Sequence, residues 1–388
     1  MKITARNIIV PHGFEVNYTL GFAKGLQANC VDFCVLSCDL TEPGLTASGI
    51  PNLNLRGSLD EKRSAPAKLA NLGAYYIRTI LFLLRRRKSV VHFTGIFRNE
   101  LILFEGLFLN LCFRLLSAQY IYTVHNVLPH SRQGSWFFRG IYRLVYKIPN
   151  VLLVTTQRAR RQLMEEFSVP KEKIKVMSIG LNEEMPITSL TALEARRRLG
   201  YDAKDKIILF FGKMDEYKGL DMLIDAFDQL KKPELKLLIA GLFRSEVYRG
   251  KILSAVASAR MSSAIQLQER HVPNEDVEIF FKAADVLCLP YRNIYQSGLV
   301  FLALCFGIPV VATDVGSLRE FVDENTGVIA TTNDAPGLAL ALRGFFNRQD
   351  QFNREKIAGA AKKYKWENVC QALASLYHQP SAALPSPA

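Results

Sequence analysis

Residues 206–227, KIILFFGKMDEYKGLDMLIDAF, read as a buried strand, a charged turn and an amphipathic helix. The strand run is continuously apolar, as expected where helices cover both faces of a parallel sheet. It ends at Gly212. Lys213 and Lys218 occupy the turn before the helix.

The same alternation continues outward from this segment. LKLLIAGLF, AIQLQERHV, ADVLCLPY and IPVVATDVG read as further strands, with helices over residues 221–230, 274–284 and 298–306. Towards the N-terminus, KITARNIIVP, VDFCVLSC, SVVHFTG, QYIYTVHN and NVLLVTT read as strands, and residues 18–29 and 64–87 as helices. Strand–helix alternation predicts parallel sheets. The expected fold class is therefore α/β, with two Rossmann-like doubly wound sheets facing across a cleft. Residues 176–193 hold Gly180, Pro186 and several Ser and Thr, and are the expected linker. The expected division is 1–183, 184–365, and a C-terminal helix with a disordered tail over 366–388. Helical pattern spans residues 353–378, and the tail is QPSAALPSPA.

The chain has 388 residues, 49% of them hydrophobic, which excludes disorder for its bulk. Its net charge of +13 lies in one half. Residues 1–180 hold 24 Lys and Arg against 11 Asp and Glu, and residues 181–388 hold 25 of each. A basic first half suits nucleic acid, an anionic membrane or an acidic substrate. The run Arg85, Arg86, Arg87, Lys88 adds to Arg158, Arg160 and Arg161. Arg132, Arg139, Arg143 and Lys147 interleave with Trp136, Phe137, Phe138, Tyr142 and Tyr146. Basic and aromatic residues mixed on a helix suit a lipid headgroup zone. No recognised nucleic-acid motif is present.

Of the seven cysteines, Cys30, Cys34 and Cys38 are spaced by four. They fall in a strand-like run without zinc-type spacing and read as small apolar residues in a reducing cytosol. MKITARNIIVPHG lacks the long apolar core of a signal peptide. LILFEGLFLNLCFRLL, residues 101–116, contains Glu105, Asn110 and Arg114. It falls short of the roughly 20 apolar residues of a spanning helix and reads as a buried or half-buried one.

Ligands of doubly wound sheets bind beyond the carboxyl ends of the strands. Lys213 and Lys218 stand at such an end, beside a helix N-terminus, and suit a pyrophosphate. Gln296, Ser297 and Gly298 open an apolar helix after another strand, where free amides suit an anion or a sugar hydroxyl. Thr313–Gly316 and Glu320 follow the next strand. In the first half, His125 and Asn126 follow QYIYTV, and His130 comes shortly after. His125 is placed to hydrogen-bond a sugar or handle a proton. His92, in VVHFTG, is similarly placed, and His12–Gly13 follows the first strand.

Gly212–Lys213 with Lys218–Gly219, then Ala284–Asp285 and Pro290, then GIPVVAT and Gly316 with Glu320, resemble glycosyltransferase family four in order and spacing. Trp366 resembles the tryptophan often found before that family's final helix. The resemblance covers nearly the whole chain and implies the GT-B fold. It implies that Lys213 and Lys218 bind the donor diphosphate, that His125 contacts the donor sugar, and that the Gly13 loop approaches the donor phosphate. The family's arginine–lysine pair is here two lysines, which lack a bidentate fork. Its paired glutamates are absent: the matching positions fall near Tyr295 and at Leu302 or Ala303. Gln296–Ser297–Gly298 stands in for the usual glycine-rich loop, similar to bacterial exopolysaccharide and mannosyltransferases.

The resemblance thus implies a hexosyltransferase that uses a UDP- or GDP-sugar as co-substrate, with no other cofactor. The expected acceptor is a polyprenyl-diphosphate-linked glycan, and the expected outcome is retention. No Asp-x-Asp triplet is present, so a metal-independent site is expected. The expected location is the cytoplasm, peripheral on the inner face of the plasma membrane. Two other readings remain open: a sugar-nucleotide epimerase of the same fold, and a non-catalytic subunit of a polysaccharide complex.

Overall fold

The computed structural model describes residues 5–11, 16–60, 62–95, 97–128, 136–181 and 187–378. His12, Gly13, His130, Arg132 and the tail after residue 378 lie outside the described residues. The chain divides into two compact units. One comprises residues up to 180 and those from 364 onward, and the other comprises residues 181–363.

The first unit is built on β1 (Asn7–Val10), β2 (Phe33–Ser37), β3 (Asn52–Asn54), β4 (Val90–Phe93), β5 (Gln119–Val124), β6 (Val151–Val154) and β7 (Ile174–Val176). Their order is β3-β2-β1-β4-β5-β6-β7, all parallel. Every residue of β1, β2, β4, β5 and β6 is buried, because helices cover both faces. Ala65–Leu84, Asn110–Leu116, Trp136–Lys147 and Gln157–Phe167 cover one face. Val16–Ala28 covers the other, together with Trp366–Gln371 and Ala374–His378. Trp366 packs edge-on against the rings of Tyr18 and Phe22.

The second unit is built on β8 (Lys206–Phe211), β9 (Leu235–Gly241), β10 (Ile265–Glu269), β11 (Val286–Leu289), β12 (Val310–Ala312) and β13 (Gly327–Ile329). Their order is β10-β9-β8-β11-β12-β13, again all parallel. The strand order reverses between β8 and β11. That reversal is where a doubly wound sheet opens a crevice at its carboxyl edge.

All ten strands read from the sequence are present. The three not read, β3, β7 and β13, are three-residue strands at sheet edges and only partly buried, so they lack the continuous apolar run by which the equally short β12 is read. The helical pattern over 353–378 is divided into Arg354–Ala361, Trp366–Gln371 and Ala374–His378. Residues 101–116 are helical, and two of their three polar residues, Glu105 and Asn110, face inward. A π-helical stretch, Leu103–Leu109, runs into the α-helix Asn110–Leu116. Glu105 and Asn110 are fully buried, whereas Leu103, Phe104, Phe108, Leu111 and Leu115 are exposed.

Candidate functional site

After β8 the backbone turns at Gly212 and pairs with the segment after β9. Met214 N donates to Leu242 O, and Arg244 N donates to Met214 O. Gly241 permits this close approach: a Cβ there would lie 1.8 Å from the Gly212 carbonyl oxygen. Lys213 and Arg244 are exposed on these two loops. Lys218 ends the short 3-10 turn Glu216–Lys218 and is only 9% exposed. Its Nζ sits 5.8 Å from the centre of the Tyr291 ring. That Nζ makes no hydrogen bond or ion pair among the described residues. Burial, reinforced by the charge of Lys213 and in lesser part Arg244, pushes its pKa down to about 8, with Asp215 opposing. A buried cation repelled by its neighbours and lacking an acceptor is stabilised by any anion that reaches it.

The β11 side supplies the opposite wall. Tyr291 is buried, and its hydroxyl lies 3.2 Å from Ser297 Oγ. Ser297 precedes the helix Gly298–Cys305, and its side chain does not cap that helix. Gly298 is exposed, with open space where a side chain would be. The Nε2 of Gln296 is buried with no hydrogen-bond partner among the described residues. Two bonds tie this loop to the one after β12. Thr313 Oγ1 donates to Tyr291 O at 2.6 Å, and Ser317 Oγ donates to Tyr295 O at 2.6 Å. Glu320 is exposed at the end of the turn Leu318–Glu320. The tertiary structure thus gathers Lys218 and Ser297 around Tyr291, with Lys213 exposed on the adjoining loop.

Sequence reasoning missed Arg244, Tyr291 and a buried carboxylate, Asp221, whose exposed cation partners hold the turn. Asp221 accepts from Arg292 Nη1 at 2.7 Å and Nη2 at 2.9 Å, from Lys251 Nζ at 2.6 Å and from Tyr248 Oη at 3.1 Å. Burial alone would raise its pKa, but bonds from Arg292 and Lys251 outweigh this and hold it well below the usual carboxylate range. Arg292 also donates to Glu216 O at 3.0 Å, and its own amide donates to Tyr217 O at 2.8 Å. Gly219, at φ 66°, completes the join: a Cβ there would lie 2.0 Å from Pro290 O. The only sequence signal was an acid in a first helical turn and an arginine just after a strand.

In the first unit, His125 directly follows β5 and is half-buried. Its Nε2 donates to Thr94 O at 2.7 Å, since a carbonyl oxygen can only accept. The Tyr18 ring meets it edge-on at 5.3 Å. His92 is a core residue. Its ring nitrogens lie 2.7 Å from Tyr377 Oη and 2.8 Å from Thr123 Oγ1, and burial, with His125 nearby, pushes its pKa down to about 3.

Two all-parallel doubly wound units in tandem, the second with an anion-seeking cluster at its strand-order reversal, define a protein of the GT-B class. The chain belongs to glycosyltransferase family four. Residues 16–180 match the glycosyl transferase 4-like domain, and residues 192–364 match glycosyl transferases group 1. It is 32% identical over 244 residues to a D-inositol 3-phosphate glycosyltransferase of Corynebacterium urealyticum, covering 59% of this chain and 56% of that one. It is 28% identical over 194 residues to a lipopolysaccharide core biosynthesis mannosyltransferase of Rhizobium meliloti, covering 47% and 54%. The matched stretch therefore spans little more than half of either relative. In fold it is similar to Anabaena HepE, solved with UDP, at a TM-score of 0.73 and 13% identity, covering 96% of this chain and 99% of that one.

Proposed function

We propose that the second unit binds a nucleotide-diphosphate sugar and that the chain transfers its hexose to a lipid-linked or growing polysaccharide acceptor, with retention. The observation that carries this reading is Lys218: a largely buried side chain whose ammonium has no protein acceptor among the described residues, at the strand-order reversal, flanked by Lys213 and Arg244. A diphosphate supplies the missing charge. Gln296 Nε2, the Ser297 hydroxyl and the free amides at Gly298 are the donors on offer to the sugar or ribose. These groups stabilise the departing nucleotide diphosphate without a metal ion in this reading. His125 is assigned to the donor sugar, Gly13 to the donor phosphate and Glu320 to the donor's outer contacts. A leaving phosphate that accepts the acceptor's proton requires no separate base. The HepE complexes with UDP and UDP-glucose support a nucleotide-sugar donor, and the name of the lipopolysaccharide core mannosyltransferase relative supports a cell-surface product. The basic run Arg85–Lys88 supports peripheral contact with an anionic membrane, where a lipid-linked acceptor resides.

Titration calorimetry with UDP, GDP and ADP on wild type and Lys218→Ala tests the donor assignment. One nucleotide is expected to bind wild type, and Lys218→Ala is expected to bind it at least about tenfold more weakly. Unchanged affinity removes Lys218 from the site. Turnover of the free sugar nucleotide, without any acceptor, would favour an epimerase instead.

A further inference from the structure

The helix over residues 103–116 is apolar on both sides: Leu109 and Phe113 join the core, and a second apolar stripe faces outward. A helix on a soluble surface turns its apolar stripe to the core and its charges to water. Here Glu105 and Asn110 are 0% exposed, while Leu103, Phe104, Phe108, Leu111 and Leu115 are between 41% and 70% exposed. Both inward polar residues are hydrogen-bonded, with Asn110 Oδ1 alone lacking a partner among the described residues. Glu105 accepts from the Tyr76 hydroxyl and from Arg98 N, and Asn110 Nδ2 donates to Gly106 O and Val145 O. The orientation is therefore built in by buried hydrogen bonds and is not a loose surface helix.

The exposed stripe is not isolated. Phe104 packs on Tyr76 of the neighbouring helix Ala65–Leu84, which exposes Ile77, Leu81 and Leu84. Val145 belongs to Trp136–Lys147, the helix on the other side, which exposes Trp136, Phe137 and Leu144. Contiguous apolar surface of this kind marks an interaction face. Its exposed charges are mostly positive, with Glu100 before the apolar helix as an exception. Arg78, Arg85, Arg87 and Lys88 are exposed on and just after the first of these helices, and Lys147 ends the third. A second copy would bring the same positive charges against them. An anionic bilayer supplies both the apolar interior and the opposite charge.

We infer that the helical face formed by Leu103, Phe104, Phe108, Leu111, Leu115 and the adjoining Trp136–Phe137 inserts into the acyl boundary of an anionic membrane. This deepens the membrane contact proposed above, which rests on charge alone. Helices between parallel strands begin at the carboxyl edge of the sheet. Leu103, Phe104 and Trp136 therefore stand at the same edge of the unit as His125.

The chain carries its own reporter. It has two tryptophans, Trp136 at 83% exposure on this face and Trp366 at 3% exposure under the opposite face of the sheet. The full chain is mixed with phosphatidylcholine vesicles containing about 30% phosphatidylglycerol, with and without acyl-brominated lipid. Insertion predicts that brominated chains quench roughly half of the tryptophan emission and that binding persists in high salt. The pair Phe104→Ser, Phe108→Ser is expected to lower vesicle binding at least about tenfold, since two exposed rings are lost. Leu111→Gln, Leu115→Gln serves as the second variant, and unchanged thermal unfolding of either shows that the fold is kept. Binding that high salt abolishes, without quenching, overturns insertion and leaves the electrostatic contact standing. Equal binding to vesicles with and without anionic lipid, with quenching, supports insertion and removes the electrostatic contact. No binding to either vesicle, with dimers in sedimentation that the Phe104→Ser, Phe108→Ser pair dissociates, overturns the membrane in favour of a second copy.

Discussion

Lys218 loses its proton with a pKa near 10.5 in the unfolded chain and about 8 in the folded unit. Between those values the unfolded chain binds more protons, so stability rises with pH through that window. At neutral pH both states are charged, and burying the cation destabilises the unit by about 3 kcal/mol. Lys218→Met keeps the volume and removes the charge. It is expected to raise the unfolding free energy at pH 7 by up to about 3 kcal/mol while weakening nucleotide diphosphate binding, a trade common at functional sites. Urea unfolding and calorimetry on one preparation check both halves. The same pKa sets a pH profile for binding. Affinity is expected to fall as pH rises above about 8, and Lys218→Arg, which stays charged, is expected to lose that fall. A flat wild-type profile from about pH 7 to 9.5 would falsify the assignment. The sequence placed Lys213 and Lys218 at a strand end because strand, glycine and helix are local signals. It could not show that one lysine is buried and the other exposed, since the burial comes from Tyr291 across the sheet.

At the scale of elements, the Glu216–Lys218 turn is held by the loop after β11, through Arg292 and Asp221. Arg292→Ala removes two bonds to a buried carboxylate and leaves Lys251 and Tyr248 to satisfy it. The expected loss is about 1–2 kcal/mol, below the range for a broken buried pair because Arg292 is itself 44% exposed and one cation remains. Hydrogen exchange at Glu216–Gly219 is expected to quicken, and nucleotide affinity to drop, although Arg292 stands behind Lys218. Exchange unchanged at that turn would show that the pair does not position it. Asp221 and Arg292 are 71 residues apart, and no periodic pattern joins them. Helix 103–116 was legible as a helix by its apolar content. Its facing was not, because the inward side is selected by Tyr76, Arg98 and Val145, which lie elsewhere in the chain.

On the scale of the whole molecule, the chain returns from the second unit to the first near residue 364. Trp366, Cys370 and Tyr377 join the core beneath β1, β2, β4, β5 and β6. Tyr377 also lies within hydrogen-bond reach of His92 at the centre of that sheet. Truncation after residue 363 uncovers this core and leaves a buried imidazole without one partner. The first unit is expected to lose several kcal/mol, in line with losses from opened cores and unsatisfied buried groups. Hydrogen exchange should then show lost protection in Val16–Ala28 and in β1 and β4, with β8 to β13 unchanged. Loss confined to the second unit would contradict this division.

The sequence by itself determined the α/β class, ten of the thirteen strands, the two strand-end lysines and the Gln296–Ser297–Gly298 helix start. These follow from apolar period, glycine and charge within a few residues of each other. Only the tertiary structure decided which lysine is desolvated, that Tyr291 and Arg244 join it, that Arg292 braces its turn, and that one helix shows a second apolar stripe to solvent. Each of these depends on groups brought together from distant parts of the chain, and burial, which sets charge and hydrogen-bonding energies, exists only once they meet.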